Sequence, residues 1–314
     1  MRVRWLAVLC ALVSVCAQAQ VSAIDARGVD VVLQKPAQRI VSLAPNVTEL
    51  LYAAGAGSRI VGVSAFSDYP PQAGALPRIG NSTRLDLERI LSLHPDLVVG
   101  WLSGNGPSDI EHLQQAGLPV FLSEPDRLAR IPGLIVALGH LAGTDVQARR
   151  AAQDFRAGLG RLRARYAART SLSVFFQISS EPLITLNDRQ IVSDVLHLCG
   201  ASNVFGNLRS IAPQIGREDV LRADPDVILI AEPRAEAEAD RARWLRITSL
   251  RAARAQHIYV LDPDLIQRPG PRLLEGARQM CAVLQAARHS SPRRDLNSVS
   301  RSGRVALPVA TARR

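Results

Sequence analysis

The sequence predicts an α/β protein of two Rossmann-like lobes, each built on a parallel sheet and joined by one long backbone helix. The segment at 86–99 recurs at 216–229, and each copy holds a short helix, a Pro-Asp turn and an aliphatic run. A unit that recurs once per half indicates two similar lobes. Elsewhere, short aliphatic runs alternate with amphipathic stretches, as is typical of parallel sheets covered by helices on both faces.

The first lobe is predicted over 20–126. Its first strand, at 40–43, ends before Pro45, and the amphipathic helix at 47–54 is ended by Gly55. The elements that follow are a strand at 60–63, a helix at 83–93, a strand at 97–101, a helix at 110–116 and a strand at 120–122. The helix at 83–93 and the strand behind it contain the first copy of the repeated unit.

One helical segment at 127–170 is predicted to connect the lobes. It keeps a helical period with arginines on one face, and Gly143-Thr144-Asp145 indicates a local break with a new N-cap. The second lobe is predicted over 171–288. Its elements are a strand at 173–178, a helix at 192–198, strands at 227–230 and 258–261, and a final helix that carries Cys281.

Residues 1–19 are predicted to be a secretory signal peptide. Arg2 and Arg4 precede an apolar run, and Ala17-Gln18-Ala19 fits the small-residue pattern of a cleavage site. The run is too short for a membrane span. We therefore expect a periplasmic protein, with lipid anchoring at Cys16 as the less favoured alternative because the residues before it fit a lipoprotein site poorly.

The net charge of +10 lies mostly outside the predicted lobes. The signal peptide carries +2 and the tail about +5, which leaves about +3 for the folded part. That value does not indicate a nucleic-acid partner. Residues 289–314 are rich in Ser, Arg and Pro, and we expect a disordered basic tail there.

Two cysteines, Cys199 and Cys281, remain after removal of the signal peptide. An even pair in an exported chain predicts one disulfide bond. Two separate buried thiols are the alternative.

The motifs of enzyme active sites are missing from the sequence. It contains no Gly-x-Ser-x-Gly nucleophile elbow and no glycine loop for phosphate after a strand. Its six histidines share no spacing typical of metal ligands. We therefore expect a binding protein without catalytic residues, cofactor or metal site, while an enzyme or sensor on the same scaffold stays an alternative.

Four segments give the chain a family resemblance. Together, residues 40–50, 67–71, 87–90 and 198–200 resemble the helical-backbone class of periplasmic substrate-binding proteins, over roughly 39–285. These proteins serve ATP-driven importers of vitamin B12, haem and iron–siderophores. The resemblance implies two lobes joined by one long helix, a monomer, and the permease dimer of an ABC importer in the inner membrane as partner.

The resemblance also implies a role for the repeated acids. In this family a surface glutamate on each lobe docks into arginine pockets of the permease, and Glu88 and Glu218 occupy the matching positions. The alternative is that each glutamate only stabilises the first turn of a helix through the helix dipole.

For the ligand, the resemblance is to the members that bind a corrin with aromatic side chains. It implies a cleft formed by five residues: Phe66, Trp101, Asp264, Arg268 and Arg272. Ser82 and Ala212 stand where those members carry tryptophans, so the aromatic contact is reduced. We expect capture of cobalamin or a related corrinoid. Haem or a ferric siderophore is the alternative, in which arginines would pair with the anionic chelate. Core packing remains an alternative role for Trp101.

Overall fold

The computed structural model describes residues 20–81, 84–166 and 169–290. The predicted signal peptide, Cys16, Ser82 and residues 291–314 of the tail lie outside them. Within these ranges, no helix combines the length and the apolar character that a membrane span needs.

The first lobe is a four-stranded parallel sheet with helices on both faces. Its strands are β3 Ile40–Ser42, β4 Ile60–Val63, β7 Leu97–Trp101 and β8 Val120–Ser123, in the spatial order β4-β3-β7-β8. Its helices are α1 Pro45–Ala53, α2 Leu87–Ser92 and α3 Pro107–Gln115. Two small antiparallel pairs complete it: β1 Val21–Ile24 with β2 Asp30–Leu33, and β5 Gly80–Asn81 with β6 Arg84–Leu85. Sequence analysis missed both pairs.

The predicted helical segment at 127–170 is two helices, α4 Ile131–Leu141 and α5 Asp145–Tyr166, and not one. Gly143 separates them in a left-handed conformation with φ +63°, which glycine adopts without steric cost. The Thr144 hydroxyl donates to the carbonyl of Ala54 at 2.7 Å and fixes the break against the first lobe. The break that Gly143-Thr144-Asp145 predicted is therefore present, and the one long helix expected between the lobes is α5.

Only the second of these helices connects the lobes. α4 packs on α1 and β1, so it belongs to the first lobe, whereas α5 contacts α1 and also helices of the second lobe. Buried residues of α5, among them Phe155 and Leu159, belong to a hydrophobic cluster that runs from Leu50 in the first lobe to Met280 in the second. The lobes thus share one continuous core along the connecting helix.

The second lobe repeats the first. Its parallel strands are β9 Leu172–Gln177, β12 Ala201–Asn203, β13 Val227–Ile230 and β14 Ile258–Val260, in the spatial order β12-β9-β13-β14. Its other elements are the pair β10 Ser179–Ser180 and β11 Leu183–Ile184, and the helices α6 Ile191–Leu198, α7 Arg217–Ala223, α8 Arg234–Leu245, α9 Arg251–Arg254, α10 Pro263–Ile266 and α11 Leu273–Ser290. In chain order, both sheets have their four strands arranged 2-1-3-4. α11 extends to Ser290, so residues 289 and 290 of the predicted tail are helical.

The two copies of the repeated unit occupy the same place in the two sheets. α2 leads into β7 and α7 leads into β13, each the third strand of its sheet. The aspartate of each Pro-Asp turn ties that strand to the first one. Asp96 accepts the backbone N–H groups of Gln38 and Arg39, both at 2.8 Å, and Asp226 accepts the N–H and hydroxyl of Ser173 at 3.0 and 2.8 Å.

The first repeat helix is shorter than predicted. Asp86 caps it by accepting the N–H of Arg89 at 2.9 Å, so α2 begins after Asp86 and not at residue 83.

Cys199 and Cys281 form the predicted disulfide bond. It links the residue after α6 to the middle of α11, and both cysteines are fully buried in the shared core.

Removal of this disulfide should lower stability. Its residues are 82 positions apart, and closing such a loop contributes about 4 kcal/mol in the chain-entropy model. We expect the Cys199→Ala/Cys281→Ala variant to lose about 2–4 kcal/mol in free energy of unfolding, measured by urea denaturation of the chain from Gln20 onward. An unchanged unfolding midpoint, or two titratable thiols in the native wild-type protein, would contradict this.

Candidate ligand-binding cleft

The predicted cleft residues lie beyond the carboxyl ends of the strands in both sheets. Phe66 follows β4, Trp101 is the last residue of β7, and Asp264 lies in the short helix after β14. Open parallel α/β sheets bind their ligands in the crevice beyond the carboxyl ends of the strands, where the loops form the binding surface. Arg268 and Arg272 lie between α10 and α11 and contact the first lobe directly.

Phe66 is the most exposed large apolar side chain of the described residues, at 75%. Its backbone has φ +63°, a conformation that a bulky side chain adopts only under constraint. The constraint comes from buried hydroxyls on either side: Ser64 and Ser67 bond each other at 3.1 Å, and Ser67 also bonds Thr48 of α1 at 3.0 Å. The loop therefore holds an aromatic ring in solvent, a placement that suits ligand contact better than packing.

Trp101 is half-buried. Its indole N–H donates to Glu124 at 3.2 Å, and its backbone N–H donates to Asn105 at 2.8 Å. Gly104 lies against the ring so closely that any side chain at this position would collide with it. The backbone of Gly104 thus covers one face of the Trp101 indole, and the Glu124 carboxylate fixes its N–H edge.

The central contact between the lobes joins Arg272 to Glu49 of α1. The guanidinium donates two hydrogen bonds to the carboxylate, at 3.0 and 2.7 Å. Its carbon lies 4.0 Å from the centre of the Tyr69 ring, a cation–π contact. The side chain of Glu49 is only 2% exposed. Arg272 is therefore bound on two sides by the first lobe.

Arg268 forms a second bridge between the lobes. It contacts Asp68 of the first lobe at 2.6 Å and Asp264 of its own lobe at 2.8 Å, and lies 3.7 Å from Glu49. We call Glu49, Asp68, Asp264, Arg268 and Arg272 the interlobe ion cluster. Three carboxylates face two guanidiniums, so the cluster carries a net charge of −1 when all of its groups are ionised.

The ionisation of these groups reflects burial and pairing. Burial raises the pKa of Glu49, against the hydrogen bond and charge of Arg272. Burial acts to lower the pKa of Arg272, but its hydrogen bond to Glu49 and the charge of that carboxylate outweigh burial and raise it. The hydrogen bond from Arg268 lowers the pKa of Asp68. Burial thus removes most of the water around the Glu49 carboxylate, and the positive charges that favour its ionised form come from the second lobe.

A second buried polar group supports the cleft side of the second lobe. The side-chain amide of Gln177, at the end of β9, donates to Glu232 and to Asp240, both at 2.6 Å. Its carbonyl accepts the indole N–H of Trp244 at 2.8 Å. These bonds satisfy polar groups that burial would otherwise make costly.

Sequence analysis identified the second-lobe side of the ion cluster and missed Glu49 and Asp68 on the first-lobe side. One signal was available for Glu49, an acid that directly precedes two leucines in a helix predicted to be amphipathic. Phe66 and Trp101 have no hydrogen bond or ring contact with the cluster among the described residues. They stay predictions as ligand contacts, as do the three residues of the cluster that were predicted from sequence.

The remaining predicted positions lie away from the ion cluster. Glu88 and Glu218 are exposed in the first turns of α2 and α7. Ala212 is exposed and supplies no ring. No group of three or more His, Cys, Asp or Glu residues suited to a metal ion occurs in the described parts of the chain.

Removal of Arg272 should cost far more stability than removal of an exposed arginine. Arg272→Met leaves a carboxylate buried without its bidentate partner, and we expect a loss of about 3 kcal/mol in free energy of unfolding. Adding Glu49→Gln should restore most of that loss, because the unpaired charge is removed. Chemical denaturation of the three variants measures these values.

The matched control is Arg278→Met. Arg278 pairs with Glu275 at 2.9 Å, but both side chains are 48% exposed, and such pairs contribute about 0–1 kcal/mol. Equal losses in free energy of unfolding for Arg272→Met and Arg278→Met would show that the interlobe contact contributes no more to stability than an exposed ion pair.

Known proteins share both the sequence and the architecture of this chain. The periplasmic binding protein family matches residues 40–265. The vitamin B12-binding protein of Vibrio cholerae serotype O1 is 39% identical over 253 residues, which are 80% of this chain and 91% of that protein. The crystal structure of the periplasmic vitamin B12 binding protein of Vibrio cholerae superimposes with a TM-score of 0.75 at 38% identity, covering 81% of this chain and 98% of that one.

A haem-binding relative has the same fold. The periplasmic heme-binding protein of Roseiflexus sp. RS-1 superimposes with a TM-score of 0.71 at 26% identity, covering 80% of this chain and 98% of that one. The two like lobes, the connecting helix and the matched segment agree with one another, and the chain belongs to the periplasmic binding protein family.

Proposed function

We propose that this protein captures cobalamin or a related corrinoid in the periplasm and delivers it to the permease of an ABC importer. It does so as a binding protein, without catalysis and without a resident cofactor. The support for this ligand is the similarity to vitamin B12-binding proteins over most of the chain, together with the charges at the cleft.

The observation that carries the proposal is the pairing of both arginines. Arg268 and Arg272 are bound to carboxylates, and the ion cluster holds one more acid than base. Haem and ferric siderophores present anionic groups that need free cations. The rim of a corrin ring carries neutral amides, which can hydrogen-bond to a net acidic cluster without repulsion. The cleft therefore favours a neutral macrocycle over an anionic one.

Phe66 and Trp101 are suited to contact the flat ring. Both lie on the first lobe, one exposed and one with an edge fixed by Glu124. Rings that stack add about 0.5–1.5 kcal/mol each beyond area burial. With Ala212 in place of an aromatic residue, this contact comes mainly from the first lobe.

Haem is the second candidate, favoured by the likeness to the Roseiflexus protein. Tyrosine can serve as an axial ligand of haem iron, and Tyr69 is 43% exposed. Its ring, however, lies beneath the guanidinium of Arg272, so iron ligation would require this interlobe contact to rearrange.

Titration calorimetry of the chain from Gln20 onward with cyanocobalamin and with haemin tests the assignment. We expect cobalamin to bind with a Kd between nanomolar and low micromolar, and haemin to bind at least tenfold more weakly because no arginine of the cluster is free for its carboxylates. Tight haemin binding without cobalamin binding would replace the corrinoid by haem.

Trp101→Ala should weaken cobalamin binding by about tenfold, equivalent to about 1.4 kcal/mol, through loss of ring contact. Val146→Ala is the control, since Val146 is a 73% exposed apolar residue at the start of α5. An unchanged affinity in Trp101→Ala would remove Trp101 from the ligand site.

A further inference from the structure

Helices α2 and α7 present the same two side chains to solvent. Each has an exposed glutamate, Glu88 or Glu218, followed three residues later by an exposed leucine. Leu91 is 42% exposed and Leu221 is 41% exposed. Residues three apart are neighbours on one face of a helix. We call Glu88 with Leu91, and Glu218 with Leu221, the two Glu–Leu pairs.

Packing within the lobes does not explain this match. The inner side of each helix is fixed by Ile90 and Val220, which are fully buried. At the other outward positions the copies differ, with Arg89 against Asp219 and Ser92 against Arg222. The surfaces of the two helices thus agree only at the glutamate and the leucine. A large apolar side chain that is held in solvent twice, each time beside the same acid, indicates an external contact.

The placement of the pairs indicates the form of the partner. Both sheets have the same strand order, and each pair lies on the helix before the third strand. A partner surface that contacts both Glu–Leu pairs must contain two copies of a complementary site, each with a cation beside an apolar recess. Two identical subunits related by a twofold axis supply this. A second copy of the present chain does not, because it would bring glutamate against glutamate.

We propose that Leu91 and Leu221 are docking residues, each seated in an apolar recess of one of two identical permease subunits next to the cation that binds the neighbouring glutamate. This inference rests on the proposed role as an importer's binding protein and adds the apolar half of the contact. Burial of the leucine excludes water from the adjoining ion pair, which strengthens that pair and provides the dry centre typical of protein interfaces.

The test is the affinity of leucine variants for the detergent-solubilised permease complex of the importer, immobilised on a biosensor. We expect Leu91→Ser and Leu221→Ser each to weaken binding by about tenfold, and the double variant by about a hundredfold. Val146→Ser, at a more exposed apolar position on α5 and outside both helices, should bind as the wild type does. Calorimetry with cyanocobalamin on the same variants should give the wild-type affinity.

The outcomes separate this inference from the proposed function. If Glu88→Ala and Glu218→Ala lose permease binding while both leucine variants keep it, the leucines are not docking residues and the proposed function stands. Loss of cobalamin affinity in the leucine variants would place their effect in the fold, and would overturn the inference. If the wild-type protein does not bind the permease at all, both the inference and the transport role fail.

Discussion

The buried ion pair between Glu49 and Arg272 determines how the two lobes meet. A carboxylate that is 2% exposed must be compensated by charge, and both cations near it, Arg272 and Arg268, come from the other lobe. Separation of the lobes would break the bonds of Arg272 and Arg268 to the first lobe and the contact of Arg272 with the Tyr69 ring. The contact therefore opposes opening of the cleft, while the shared core along α5 opposes bending from the opposite side.

In the proposed function, the same contact also limits which ligands the cleft can recognise. Arg268 and Arg272 are paired with carboxylates across the lobes, and in the proposed function this pairing makes them unavailable for the carboxylates of haem. In the proposed function, recognition then depends on flat apolar contact at Phe66 and Trp101 and on hydrogen bonds from neutral groups of the ligand. In this arrangement, rigidity and ligand preference have one physical origin. The proposed docking surfaces on α2 and α7 lie one on each lobe, so their separation depends on the same contact.

Much of the fold could be predicted from sequence because its cues are local. The aliphatic runs at β3, β7 and β13 lie where predicted, and the offset between the repeats correctly indicated two lobes of one topology. The first-lobe partners Glu49 and Asp68 could not be found in this way, because their role depends on side chains 223 and 200 positions away. The one long helix between the lobes and its start near Gly143-Thr144-Asp145 were also predicted from local cues, whereas the bond from Thr144 to Ala54 is a tertiary contact that helical periodicity does not reveal.

The most direct test of the central claim is the distance between the lobes in solution. Spin labels at Ser92→Cys and Arg222→Cys, exposed and equivalent positions of α2 and α7, can be placed in the chain from Gln20 onward, whose own cysteines are in the disulfide. Pulsed electron–electron double resonance should give one narrow distribution of label-to-label distances in the ligand-free protein. After Arg272→Met the distribution should be broader and shifted to longer distances. A distribution that is already broad in the wild type, or that Arg272→Met leaves unchanged, would contradict the role of the ion pair in holding the cleft.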